Sequence, residues 1–283
     1  MGVLKDHSRP SFALLGALLI LLAASLPAMA QDKFVPACTL PYASIAKKHK
    51  IDTECPPEGK TKTEAHKAQN RAKNELCAAG APVTVTHRTI IALQKKAEEL
   101  DIPFGSSSKI PADRKVLRNI LTLSNARKIG EGSVVRYVGF ITHPRYSNRS
   151  KGESVNCKVG GAENNDIHLD LARNPREPAC RTVTAEVVPH YRPTAWEVDN
   201  LKLVMGRPVR VTGHLFFDAS HRPCANDTDK VNPKRVSNWE IHPVYAIDVC
   251  LETTIRACPA GDERKWIALD QWLNEEQQEE DEE

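Results

Sequence analysis

Most of the signatures that would announce a chemistry at sight are missing from this 283-residue chain. Its eight cysteines form no C-x-x-C pair, which weakens zinc-ribbon and thioredoxin readings. No H-E-x-x-H and no G-x-S-x-G occurs, and Gly160-Gly161 is a turn rather than a phosphate-cradling loop. No serine sits in a strand–turn–helix elbow, so a serine nucleophile is unsupported. No long apolar run follows residue 30 and mean hydropathy is −0.43, which excludes a membrane-embedded body. Apolar periodic segments nevertheless recur to about residue 250, which excludes disorder throughout.

Residues 1–30 read as a secretory leader. Lys5 and Arg9 make a basic start, Phe12 to Leu26 is apolar, and Ala28-Met29-Ala30 is a small-residue exit before Gln31. The apolar run is short for the ~20 residues a spanning helix needs. Export to a periplasmic or extracellular space of a bacterium is the expectation, and it gives the cysteines a meaning. An even number in an oxidising compartment predicts disulfides. Proximity along the chain suggests Cys55–Cys77, Cys157–Cys180 and Cys224–Cys250, with Cys38–Cys258 joining the ends.

The net charge of +3 hides an asymmetry. The leader carries +1, and Glu275 to Glu283 hold seven acids and no base, so residues 31–274 carry about +9. A basic body of this kind is compatible with a polyanionic partner.

Prolines punctuate residues 31–62, and helices follow at 63–78, 86–100 and 111–123. At Ile129 the apolar period changes from 3.6 to 2. Strands are expected at 134–146, 166–172, 181–190, 207–218 and 239–249, with a helix at 193–204. Five short strands with a helix between the third and fourth is the element order of an OB-like barrel. Gly139 and Gly213 fall mid-strand, where such a barrel bends. The expected fold is therefore α+β: a small helical segment over 31–128 and an OB-like barrel over 129–250. A short helix over 251–274 and a disordered acidic tail over 275–283 complete it.

Chemistry concentrates in the barrel. Asp166-Ile-His168, Asp218-Ala-Ser-His221 and Glu240-Ile-His242 repeat an acid–histidine pairing. Residues i and i+2 of a strand share a face, so these groups and Glu186 should point away from a barrel interior filled by Ile167, Leu169 and Ile241. Two functions follow. One is a binding module for a nucleic acid or oligosaccharide, using the loop residues Arg145, Arg149 and Lys151 together with Arg210 and a stacking Trp239. The other is a metal-dependent phosphodiesterase with catalytic candidates His168, Glu186, Asp218, His221, Glu240 and His242. In that reading His168, Asp218, His221 and His242 hold zinc or a similar divalent cation. A metal-free version would use His242 or His168 as general base.

The runs Gly152-Glu-Ser-Val-Asn-Cys157, Asn165-Asp-Ile-His-Leu169, Val211-Thr-Gly213…Phe216-Phe-Asp218…His221 and Trp239-Glu-Ile-His-Pro-Val244 resemble a group of uncharacterised exported bacterial proteins. Ala68-Gln-Asn-Arg-Ala-Lys-Asn74…Cys77 is similar too, so the resemblance covers roughly residues 50–250. It implies export and joins the helical segment to the barrel as one unit. The barrel is also distantly similar to the thermonuclease type of OB fold, but that family's two-arginine, three-acid site does not map onto these residues.

Overall fold

The computed structural model describes residues 1–2, 50–77 and 80–282. Nearly all of the expected leader, and Cys38, lie outside the described residues. The chain divides into two units, Met1–Ala30 and Gln31–Glu283, and the second carries the fold described here.

That unit begins with α1 (Lys50–Glu54) and α2 (Glu64–Lys73), then β1 (Val83–Val85) and α3 (His87–Glu99). The Thr63 hydroxyl starts α2 by accepting from the His66 amide at 3.3 Å. Thr86 and Thr89 cap α3 reciprocally, and Ile90 and Leu93 turn its apolar stripe inward. The third expected helix does not form. Residues 114–117 make one 3₁₀ turn, and β2 (Leu121–Thr122) pairs with β3 (Lys128–Ile129) instead. Tertiary contacts override local helical spacing here. Leu117 is fully buried, and Arg114 is drawn inward to Glu131 and to the Phe217 carbonyl, which accepts at 2.7 Å.

The strands that follow are β4 (Val134–Ile141), β5 (Arg145–Tyr146), β6 (Ile167–Ala172), β7 (Val183–Val187), β8 (Pro208–Phe217), β9 (Trp239–Cys250) and β10 (Trp266–Ala268). A 3₁₀ turn and α4 (Val198–Leu203) separate β7 from β8. Pairing runs β4–β8–β9–β7–β6, and β6 returns to β4 through Phe140↔Ala172 and Ile141↔Leu171. That contact closes a five-stranded OB-like barrel in an α+β chain. Only the β7–β9 pairing in the barrel is parallel. Two glycines let the wall close tightly. A Cβ on Gly139 would lie 2.8 Å from the Ala172 carbonyl, and one on Gly213, beside a register shift, 2.4 Å from the Pro243 carbonyl.

Val135, Leu169, Ala185, Val211, Ile241 and Val249 fill the barrel, as the alternation requires. β10 extends the sheet beside β9 and leads into α5 (Leu269–Glu282). The helix runs on through the acidic residues, so the expected disordered tail is corrected. Trp272 and Leu273 anchor its first half, and Glu and Gln are good helix formers. Among the described residues no helix is long and apolar enough to cross a membrane.

Disulfides join Cys55–Cys157, Cys180–Cys224 and Cys250–Cys258, and Cys77 is also disulfide-bonded. The expected pairs Cys55–Cys77, Cys157–Cys180, Cys224–Cys250 and Cys38–Cys258 are therefore all corrected. Barrel closure brings together segments far apart in sequence, so chain proximity is a poor guide. Several disulfides are compatible with an exported protein.

Candidate acid–histidine site

The outer face of the barrel wall carries the acids and histidines, but it is not a solvent surface. α2, the loop over 147–165 and the segment over 231–238 lie across it. Asp166, Glu186, Asp218, Glu240 and His242 are all buried.

Glu186 on β7 is the centre. Its Oε2 lies 3.0 Å from His242 Nε2 and 3.2 Å from Lys73 Nζ, and its Oε1 lies 3.2 Å from His168 Nε2. Asp166 Oδ2 approaches His242 Nε2 at 3.5 Å. Asn156 Nδ2 donates to the other Asp166 oxygen at 3.1 Å and fixes the carboxylate. Glu153 faces Lys73 at 3.8 Å and His168 at 3.7 Å. Among the described residues, Asp166, Glu186 and His242 form a set of ligand atoms all within 4.8 Å of one another.

His242 is 0% exposed, yet neither ring nitrogen makes a hydrogen bond, and Asp166 Oδ2 makes none either. Buried polar atoms normally find partners. Here they converge on a point with ion-pair distances but without hydrogen-bond geometry. One nitrogen and two carboxylates are a good donor set for zinc or a similar divalent ion.

Electrostatics agree. Around Glu186, three carboxylates, Glu153, Asp166 and Glu186, oppose one fixed cation, Lys73. Burial alone would raise the Glu186 carboxyl, but His168, Lys73 and His242 hold it well below the usual range. Burial likewise opposes the charge on Glu153, and Lys73 and His168 bring it down to about 2. Burial would lower both His168 and His242, and Glu186 reverses it, so both are raised. Two protons on these imidazoles, or one divalent cation, offset the excess of carboxylate equally well.

A cleft of about 240 Å³ opens over Glu186, His168, Lys73, Arg145, Asp218 and His221. At its other end His221 Nδ1 donates to Asp218 Oδ2 at 2.7 Å. Arg235 donates to that same oxygen at 2.8 Å and the Ser220 amide to Asp218 Oδ1 at 3.0 Å. Burial would raise the Asp218 carboxyl, but Arg235 and His221 hold it well below the usual range. The His221 side chain is 45% exposed, so a fixed carboxylate orients an accessible imidazole.

The structure thus sorts the sequence candidates. His168, Glu186 and His242 meet, and Asp218 with His221 shares their cleft. Glu240 is fully buried against Arg235 and stands apart from the set around Glu186. The expected ligand set His168, Asp218, His221 and His242 is split, because β8 ends at Phe217 and carries Asp218 and His221 away from His242. Asp166, expected beside His168, joins Glu186 and His242 instead. Lys73, Glu153 and Arg235 were missed, since they come from a helix and loops whose docking has no period-2 signal.

The expected binding residues fare differently. Arg145 lines the cleft and pairs with Asp170 at 3.0 Å. Arg149 lies 5.4 Å above the Tyr146 ring, and Lys151 is exposed. Arg210 is buried in ion pairs with Asp248 and Glu263 and does not line the cleft. Trp239 is 0% exposed and packs against Phe217, leaving no face for a base or sugar.

Comparisons with protein-family models, with curated proteins and with solved structures find no match.

Proposed function

We propose that the protein is an exported bacterial hydrolase of phosphodiesters that depends on a divalent cation held by Asp166, Glu186 and His242. The observation that carries this reading is the buried convergence of Asp166, Glu186 and His242, whose ligand atoms all lie within 4.8 Å of one another. A cation there would supply Lewis acidity and an activated water at the floor of the cleft. Lys73 and Arg145 would hold the phosphate oxygens, while His168 stands beside the floor. An attacking water would bond to phosphorus as the ester P–O bond breaks, releasing its own proton to solvent, while the departing alkoxide would take a proton from His221, oriented by Asp218. This reading is favoured over a binding module built on the Arg145–Lys151 loop, because that module loses Arg210 and Trp239 to burial.

The test combines elemental analysis of the purified full chain with hydrolysis of bis(p-nitrophenyl) phosphate, with and without a chelator. About one cation per chain and chelator-sensitive turnover are expected, both lost in Asp166→Asn and His242→Asn. A metal-free protein that gains neither cation nor activity when zinc or manganese is added ends the proposal.

A further inference from the structure

A second depression adjoins the acid–histidine cleft and shares His221 with it. It measures about 620 Å³ and is lined by lysines, hydroxyls, amides and the imidazoles of His66 and His221, with no carboxylate. Lys60, Lys62 and Lys158 are exposed along it, and among the described residues none of them pairs with a carboxylate. Arg114, Arg181, Arg210, Arg222, Arg235 and Arg264 are each committed to an acid.

The groove is built rather than draped. Its two walls, the segment over 59–63 and the loop over 154–158, are joined by the Lys60 amide donating to the Ser154 carbonyl at 2.7 Å. The Cys55–Cys157 disulfide lies beside that bond. Gly59 takes φ +63°, and a Cβ there would stand 2.1 Å from the Ser154 carbonyl, so only glycine lets the walls meet. Lys158 itself has φ +60°, with its amide donating to the Glu153 carbonyl at 2.7 Å. A non-glycine residue in the left-handed region is held there by its surroundings.

We propose that this groove is the track for a single-stranded nucleic acid whose flanking phosphates lie on Lys60, Lys62 and Lys158 while one phosphodiester enters the cleft past His221. The proposal rests on the hydrolase reading and names its substrate class. Cations and hydroxyls grip a sugar–phosphate backbone without reading bases. Contacts to phosphate and sugar carry no sequence information, so the grip is sequence-neutral. Single strands are favoured because the floor is recessed: Glu186 is 3% exposed. A stiff duplex cannot bend one phosphate into a cleft of about 240 Å³, whereas a flexible strand can.

The experiment uses the full chain, a fluorescent 12-nucleotide oligothymidylate, the same length of duplex, a heparin fragment, and bis(p-nitrophenyl) phosphate. Three phosphate contacts predict a slope of log affinity against log salt of about −2 for a single strand. That is a loss of roughly 15-fold between 50 and 200 mM salt. The variant carrying Lys60→Ala, Lys62→Ala and Lys158→Ala should lose most of that slope. Its KM for the oligonucleotide should rise at least tenfold more than its KM for the small diester. A Lys95→Ala, Lys96→Ala control on α3 should bind as the parent does. Equal binding by parent and triple variant overturns the groove, as does tighter binding of the duplex or of heparin. If no form cleaves the small diester but the lysine-dependent slope persists, the hydrolase reading fails and the groove stands.

Discussion

The two faces of the barrel wall are equally dry and chemically opposite. The inner face is apolar, and Leu169, Ala185 and Ile241 are fully buried there. The outer face presents Asp166, Glu186 and His242, equally hidden. Neighbouring residues on one strand therefore contribute through different physics. Inside, area removed from water stabilises and geometry is forgiving. Outside, each charge must keep its partner, because a buried unpaired charge costs far more than a lost methyl group. Alternating sequence usually marks a half-wetted strand. Here it marks a strand covered on both sides, with the ionisable groups confined to one of them.

The largest effect expected on this contrast comes from Glu186→Ala, which strands Lys73, His168 and His242 together. It should cost about 3–5 kcal/mol, read from urea midpoints at pH 7, and should abolish any rise of Tm with millimolar zinc. The inner-face counterpart, Leu169→Ala, should cost about 2–5 kcal/mol through transfer and cavity while keeping the cation-dependent rise. If Leu169→Ala loses that rise, or Glu186→Ala retains it, the two faces are not separable.

A pH titration sharpens the contrast with a group remote from Glu186. His214 packs against Tyr245, 2.9 Å from its hydroxyl, and that hydroxyl donates to the Glu75 carbonyl at 2.7 Å. Burial pushes this imidazole down to about 4 from 6.5. The folded state therefore binds its proton later than the unfolded chain does. Stability is complete above pH 6.5 and lost progressively as pH falls toward 4, by about 3 kcal/mol in total. His214→Gln should flatten that acid limb in urea titrations between pH 7 and 4.5; an unchanged limb would refute it. The smallest effect is expected at the rim. Arg149→Ala, which removes a cation above Tyr146, should shift stability by less than about 1 kcal/mol.

The barrel was legible in the sequence because period-2 alternation is a local signal, and each expected strand is found within a few residues. Alternation also placed Asp166, His168, Glu186 and His242 on one face. It could not say that this face would be roofed, because the roof is made by Lys73, Asn156 and Arg235, whose positions depend on long-range docking. The disulfides failed for the same reason: Cys55 meets a cysteine 102 residues away. Trp239 misled because a large aromatic near a polar run looks like a stacking platform, whereas its place at the start of β9 turns it into the core against Phe217.

Glu153 and Lys158 stand five residues apart on one loop, the first lining the acidic floor and the second the lysine row. A covalent staple at Cys157 sits between them. The spacing between the acid–histidine cleft and the nearest lysine of the groove is consequently written into loop length. Inserting or deleting a residue between these two positions would change that spacing, whatever happened to the barrel beneath.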